Sequence, residues 1–471
     1  MRALRRIRRI ETARIAWRAS AGLASIRCEL EELSGLADYL VLAALGCASD
    51  ATRERFAAKY FGASEPPPLL VLAMGKLGGH ELNFSSDIDL VLLFPDDAHD
   101  AATVQPYYVR LAQYLIKLLN EPSSDGFVYR TDTRLRPFGG AGPLAIGLSA
   151  FESYLVANGR DWERYAYVKA RLLNAPEYED AVYREILTPY VYRGYLDFGV
   201  IDALRQLKRS IRREVLRRDM DQNLKLGSGG IREIEFIVQS HQLIRGGTDA
   251  SLRGRSLLDT LPRLASDRLL SDTDVAALEA AYCCLRSVEN RLQALADQQT
   301  HSLPDDPQLL ARLALACNQS TQELHDTLAQ HRENVEALFS GVVTDDDASD
   351  VQTSILNAWN SGAVDEIDIG LPESVSAAVI AVLRRLRDGS TYARMDELAR
   401  TRLAVVFSMT LERLSGDELA DVLLERILPV YEAICRRSAY LALIGENETA
   451  LETLLLLARR SARLCAQLAE R

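Results

Sequence analysis

Cysteine is scarce in this chain and carries no pattern. The seven cysteines, Cys28, Cys47, Cys283, Cys284, Cys317, Cys435 and Cys465, are odd in number and include no Cys-x-x-Cys pair. That excludes a disulfide framework and a cysteine zinc site, and it predicts reduced thiols in a cytoplasmic protein. Six scattered histidines show no zinc spacing either. Positive charge is in deficit, with 55 Lys and Arg against 66 Asp and Glu, a net charge of −11 and a pI near 5.3. General nucleic-acid binding needs a basic surface and is therefore not expected. No apolar run approaches the roughly 18 residues of a membrane span, so no membrane partner is expected. No repeat of fixed period is present. The opening is rich in arginine (Arg2, Arg5, Arg6, Arg8, Arg9, Arg14 and Arg18), as in transit peptides and membrane-surface helices. Glu11 interrupts it, and Leu4, Ile7, Ile10 and Ile15 make only a partial stripe, so a basic helix packed on the protein is predicted.

The 471 residues, 48% of them hydrophobic, suffice for about three ordinary domains. Residues 1–67 read as helices ending at Pro66-Pro67-Pro68, and residues 68–150 hold the strands, with a helix over Tyr107–Asn120. From 151 the pattern is almost wholly helical, opened by Asp161 to Arg171, where aromatic and charged residues interleave. Thr344-Asp345-Asp346-Asp347-Ala348-Ser349-Asp350 reads as an acidic linker, and 351–471 as further helices rich in Leu, Ala and Arg. The fold class expected is α+β, predominantly α-helical, with a small mixed sheet embedded in helices.

The chemistry concentrates in two neighbouring stretches. Leu70 to Met74 is a short apolar strand leading into Gly75-Lys76-Leu77-Gly78-Gly79, and seven residues separate Gly79 from Asp87. Asp87-Ile88-Asp89 opens the apolar run to Phe94. Strand side chains alternate between faces, so Asp87 and Asp89 share one side while Ile88 and Leu90 enter the core. Adjacent carboxylates repel unless a divalent cation lies between them, and a Gly-Gly turn lets backbone amides approach phosphate. The joint pattern reads as a metal-dependent nucleotidyl-transfer site; separately, each element would be an ordinary strand end or turn. A third carboxylate is supplied by Asp132. Period two over Phe127–Pro137 places Val128, Arg130, Asp132, Arg134 and Arg136 on one strand face. Guanidinium groups beside a carboxylate suit phosphate, and the alternative is an exposed edge strand laced with ion pairs. Further on, Lys225-Leu226-Gly227-Ser228-Gly229-Gly230 enters a helix with Ile231, Ile234, Ile237 and Val238 on one stripe. This is either an anion site at a helix start or a plain helix-start loop. It lacks the Gly-Lys-Ser/Thr ending of a P-loop.

In this order, Met74–Gly79, Glu81–Leu90, Asp132–Phe138, Lys225–Phe236 and Arg286–Pro304 resemble the bacterial bifunctional glutamine synthetase adenylyltransferase/adenylyl-removing enzyme family. The likeness is narrower to its N-terminal, adenylyl-removing half plus its central helical region, and the wording Leu82-Asn83-Phe84-Ser85-Ser86 favours the removing half. The resemblance implies a nucleotidyltransferase core of the polymerase-β type. It implies the division 1–67 (helical), 68–150 (catalytic core), 151–343 (helical domain completing the removing half) and 344–471 (acidic linker and central helices). Asp87, Asp89 and Asp132 would be catalytic and hold Mg²⁺; Gly78, Gly79, Ser86, Arg134, Arg136 and Lys169 would bind nucleotide or phosphate, with Arg171 beside Lys169. For Lys169 and Arg171 an ordinary amphipathic helix is the other reading. The implied reaction is phosphorolysis of adenylyl-tyrosine on glutamine synthetase, giving ADP, with a PII-type signalling protein as regulator. Two departures stand out: family members are about twice this length, and no second Gly-Gly…Asp-x-Asp unit follows residue 150, since Asp365-Glu366-Ile367-Asp368 lacks the glycines. One half of the family's enzyme is the expectation, with ATP-dependent adenylylation or an inactive docking module as alternatives.

Overall fold

The computed structural model describes residues 2–470 apart from position 97, residues 193–203, most of 212–221, 297–298, 343–354 and scattered positions after 356. It divides into two compact units, Met1–Val343 and Thr344–Arg471. The expected acidic linker at 344–350 lies outside the described residues.

The first unit is organised by a five-stranded mixed sheet. Strands β1 (Leu70–Met74) and β2 (Ile88–Phe94) pair antiparallel, with Leu70 opposite Leu93 and Met74 opposite Asp89. The other edge of β2 takes two short parallel strands in succession: β3 (Thr131–Asp132), then β4 (Ala145–Gly147). Strand β5 (Arg171–Leu172) pairs antiparallel with the free edge of β1. Both faces of the central pair are covered, which is why β1 and β2 read as continuous apolar runs rather than alternating ones. Val71, Ala73, Ile88, Leu90 and Leu92 face helices α1 (Arg2–Ser20), α2 (Ile26–Phe61) and α4 (Ala101–Asn120). Leu70, Leu72, Met74, Val91 and Leu93 face the helical part that runs from α5 (Leu148–Asn158) to Val342. A four-residue turn of helix, α3 (Gly75–Gly78), follows β1 directly.

Local chemistry fixes the element ends. Ser25 caps α2 through the Cys28 amide, and Gly62 ends it in the left-handed region at φ 62°, where glycine carries no Cβ penalty. Asp100 caps α4 through Thr103 N–H. By length and composition alone, one window of α2, with mean hydropathy 1.2, would suffice to cross a membrane. Its Leu33, Ala37, Leu40, Val41, Ala44 and Ala48 are instead spent on the core beside Tyr108, Leu111 and Leu115 of α4. The basic opening does fold as a helix, α1, with Leu4 and Ile15 in that same core.

Two expected elements are shorter than their periodicity. The helix opening at Asp161 stops at Tyr167 (α6, Asp161–Tyr167), and Arg171–Leu172 turns into edge strand β5. The exposed edge of β1 demands partners, which Leu173 N–H and the Asn174 side chain also supply to Val71 and Leu69. The sheet therefore extends beyond residue 150. The expected strand over 127–136 is paired only at Thr131–Asp132. There the Asp132 carboxylate takes the Arg134 N–H at 2.8 Å, a local bond that competes with the ladder and turns the chain.

The second unit is helical: Glu373–Arg387, Glu397–Arg413, Ala420–Ile434, Glu448–Arg460 and Ala462–Glu470. Trp359 stacks on Phe407 at 5.4 Å between centroids. Tyr431 closes the same core, its hydroxyl 2.7 Å from Thr410 Oγ1.

Phe94 stacks on Tyr108 at 4.3 Å, 4° from parallel, and joins β2 to α4. Phe94→Ala is expected to cost about 3–5 kcal/mol in denaturant titration. Trp17→Ala, on an exposed face of α1, should stay within about 0.5 kcal/mol.

Candidate active site

The sheet brings the three predicted carboxylates together at the β2–β3 edge. Asp89 and Asp132 are direct partners on adjacent parallel strands, so their side chains leave the same face of the sheet. Asp87 stands two residues earlier, on that side. Asp89 is the most enclosed of the three. Burial pushes its carboxyl up to about 6, with repulsion from Asp132 and Asp87 adding to the shift and Lys225 and Arg134 opposing it. Asp132 is held below the usual range by the Arg134 side chain, whose Nε and NH2 donate at 2.8 and 2.5 Å. Asp87 accepts Arg130 Nε at 2.5 Å, and the same guanidinium donates to Ser85 O at 2.7 Å. Sequence periodicity placed Arg130 on the site face as one of three arginines suited to phosphate; here it ties Asp87 to the turn before β2.

The glycines divide differently from expectation. Gly75 is the one that meets the carboxylates: at φ 54°, a Cβ built on it would stand 3.0 Å from Asp89 Oδ2. Gly78 and Gly79 are buried in protein. A Cβ on Gly78 would fall 2.0 Å from Lys169 O, and one on Gly79 3.1 Å from Arg255 O, while Gly79 N–H is committed to Gly75 O. Their lack of a side chain serves close packing.

The predicted cations also separate. Arg134 is 83% exposed on the rim of the site. Arg136 is turned away, its guanidinium donating to the carbonyls of Thr133, Gly140 and Gly142 and so closing the loop 133–142. Lys169 is buried, bonded to Glu81 at 2.6 Å and Glu235 at 2.9 Å; burial would lower it, yet Glu235 and Glu81 hold it above its ordinary value. Arg171 clasps Asp38 through two bonds of 2.9 Å and caps the carbonyls of Gly78 and Leu77. Neither Lys169 nor Arg171 offers its charge to a ligand, because an amphipathic helix was not what formed: a buried ion network and an edge strand were. Ser86 is buried beside Asp87.

Behind the carboxylates lies that network. Glu289, fully buried, accepts Asn83 Nδ2 at 2.6 Å, Arg286 NH1 at 2.9 Å, His301 Nδ1 at 2.5 Å and Lys76 Nζ at 3.4 Å. Burial alone would raise its carboxyl, but Lys76, Arg286 and His301 hold it well below the usual range. Glu235 is likewise held down to about 2 by Lys169, Arg286 and Lys225 against its burial. Lys76 shows the opposite balance: burial pulls it down to about 7, with Glu289 resisting and Arg286 and Lys225 contributing. The glycine-rich turn at 225–230 is a plain helix start. Ile231 and Arg232 N–H donate to Leu224 and Lys225 carbonyls, and a Cβ on Gly229 would collide with the Arg332 backbone at 2.2 Å. What the turn contributes is the Lys225 ammonium, felt by Asp89, Lys76 and Glu235. Among the described residues, no three His, Cys, Asp or Glu side chains stand arranged as a metal cage; Asp87 and Asp132 each bond an arginine.

A carboxyl raised in the fold binds more protons than in the unfolded chain, so stability falls as pH rises from about 4 through 6. The full penalty for Asp89, about 3 kcal/mol in metal-free protein, applies above that window. Metal-free Asp89→Asn should therefore unfold at a higher temperature than the parent at pH 7.5, and the gap should close near pH 4 in a thermal-denaturation series.

Residues 1–186 match the family model described as glutamate-ammonia ligase adenylyltransferase. Residues 205–343 match the one described as GlnD PII-uridylyltransferase, a likeness the sequence reading did not anticipate for this helical stretch. Sheet, carboxylates and both matches are consistent with a protein of the glutamate-ammonia ligase adenylyltransferase family, whose members are nucleotidyltransferases.

Proposed function

We propose that this chain removes AMP from an adenylylated tyrosine of glutamine synthetase by phosphorolysis. The observation that carries a nucleotidyl-transfer reading is the pairing of Asp89 with Asp132 on adjacent parallel strands, with Asp87 two residues upstream. The resemblance of Leu82–Ser86 to the removing half of the family supports the direction.

Mg²⁺ is the cation that hard carboxylate oxygens suit. Asp89, the most buried of the three, is destabilised as an anion by burial and by Asp132 and Asp87, an imbalance that a divalent cation would relieve. Asp87, Asp89 and Asp132 would hold it, with Arg130 and Arg134 yielding their partners. When bound, the metal would polarise an α-phosphoryl group and help neutralise the departing phenolate.

The remaining work falls to the chain's own groups. Inorganic phosphate is already anionic near neutral pH, so the site needs no strong general base; it needs in-line positioning and counter-charge. Arg134, exposed on the rim, and Lys225, acting on Asp89 from the opposite segment, supply cations on two sides of the carboxylates. A phosphate oxygen forms the new bond to the adenylyl phosphorus, the bond to the tyrosine oxygen breaks, and the proton lost from phosphate ends on the phenol. The products are ADP and unmodified tyrosine. The likeness of residues 205–343 to a PII-uridylyltransferase supports a PII-type protein as regulator. The seven free thiols accord with a cytoplasmic setting.

Incubation with adenylylated glutamine synthetase, Mg²⁺ and phosphate should release ADP only when phosphate is present. Asp87→Asn and Asp89→Asn should each abolish release while folding normally. Turnover retained by either variant would remove the metal assignment, and pyrophosphate formed from ATP would identify adenylylation instead.

A further inference from the structure

The helix Asp272–Ala296 presents one buried face to the turn that delivers the carboxylates. Arg286, Glu289, Asn290 and Gln293 recur at three, four and seven residues, the spacing of a single helix face, and all four are buried. Asn83 Nδ2 donates to Glu289 Oε2 at 2.6 Å and to Asn290 Oδ1 at 3.0 Å, and its own oxygen accepts Arg286 NH1 at 3.3 Å. Two residues on, Ser85 N–H donates to Gln293 Oε1 at 3.0 Å. The stretch Leu82–Asp87 forms neither helix nor strand, so these bonds replace the ladder that would otherwise fix it.

Glu289 also reaches the second segment that touches Asp89. Its Oε1 faces Lys76 Nζ at 3.4 Å, and Lys76 follows Gly75, whose Cα stands against the Asp89 carboxylate. One buried carboxylate thus anchors both backbone segments flanking Asp89: the turn entering β2 and the turn leaving β1. Its charge balances Arg286, Lys76 and His301, while the sheet core itself is apolar.

We propose that Glu289 is a positioning residue for the carboxylate site, acting through Asn83 to set where the turn delivers Asp87 and Asp89. The proposal rests on the reading of those aspartates as metal ligands. Residues that hold ligands in place typically change metal affinity about 10–100-fold when altered.

Mn²⁺ binding to the full chain, followed by the loss of the free-ion EPR signal, tests it without turnover. Asn83→Ala and Glu289→Gln should each weaken Mn²⁺ affinity about 10-fold or more, and the double variant should be no weaker than the worse single one, as for residues acting in series. Phe94→Ala, destabilised at a distance, should keep the parental affinity, which separates positioning from loss of stability. If Glu289→Gln does not fold, Asn83→Ala and Gln293→Ala decide: weakened Mn²⁺ binding in both supports the proposal. Parental affinity in a folded Asn83→Ala or Glu289→Gln overturns it, and additive losses overturn the route through Asn83. Parental Mn²⁺ affinity in the doubly substituted Asp87→Asn/Asp89→Asn protein would overturn the metal reading itself, and the proposal with it.

Discussion

Mutual repulsion of carboxylates held in a rigid ladder is the constraint around which the first unit is arranged. Asp89 and Asp132 cannot move apart without breaking the register of β2 and β3, and Asp87 is tethered two residues away by Arg130. Like charges in a poorly solvated place resist ionisation, and Asp89 shows it. Counter-charge comes from three groups: Arg130 and Arg134 on the β3 side, and Lys225 from the segment after residue 205. The protein spends its sheet on fixing the carboxylates and its loops on balancing them.

Behind this site, burial of Lys76, Lys169, Glu81, Glu235, Arg286 and Glu289 takes at least six charges largely out of water. Desolvating such groups is expensive, and apolar replacements of similar volume are often as stable or more so. The network is therefore weak evidence for stability and stronger evidence for geometry. Its bonds join different segments: Lys169 to Glu81 and Glu235, Arg286 to Asn83 and Glu235, Glu289 to Asn83 and Lys76. An apolar core in the same place would tolerate sliding that directional bonds do not.

Much of the site was legible because it is local. Period-two alternation put Asp87 and Asp89 on one side of β2, and the same rule on 127–136 found Asp132 opposite them. The glycine-rich turn, the α4 helix and the apolar strands follow from propensity and hydrophobic pattern in the same way. What escaped depends on partners far away in the chain. Lys169 looked like a ligand because its acceptors lie 88 and 66 residues distant. Gly78 and Gly79 looked like a phosphate cradle because a sequence does not show Lys169 O and Arg255 O pressed against them. Arg136 shared a face with Asp132 in an ideal strand, but the Asp132–Arg134 turn ended that strand first. Helix α2 shows the same limit from another side: one window is apolar enough by composition to cross a membrane, and its packing on α4 shows where that surface goes.

The order of the chain gives the buried network a chronology. Lys169 and Glu81 both lie within the first 186 residues, whereas Glu235, Arg286 and Glu289 arrive 49 to 103 residues after position 186. During synthesis, Asn83 and Lys76 therefore wait for acceptors more than 200 residues downstream. Closing so long a loop is entropically slow compared with pairing β1 and β2. The sheet can form early from neighbours, while the carboxylate turn acquires its final shape last, when Glu289 arrives. A nascent chain stopped before the helix Asp272–Ala296 would carry all three aspartates and lack the residue that anchors both turns flanking Asp89.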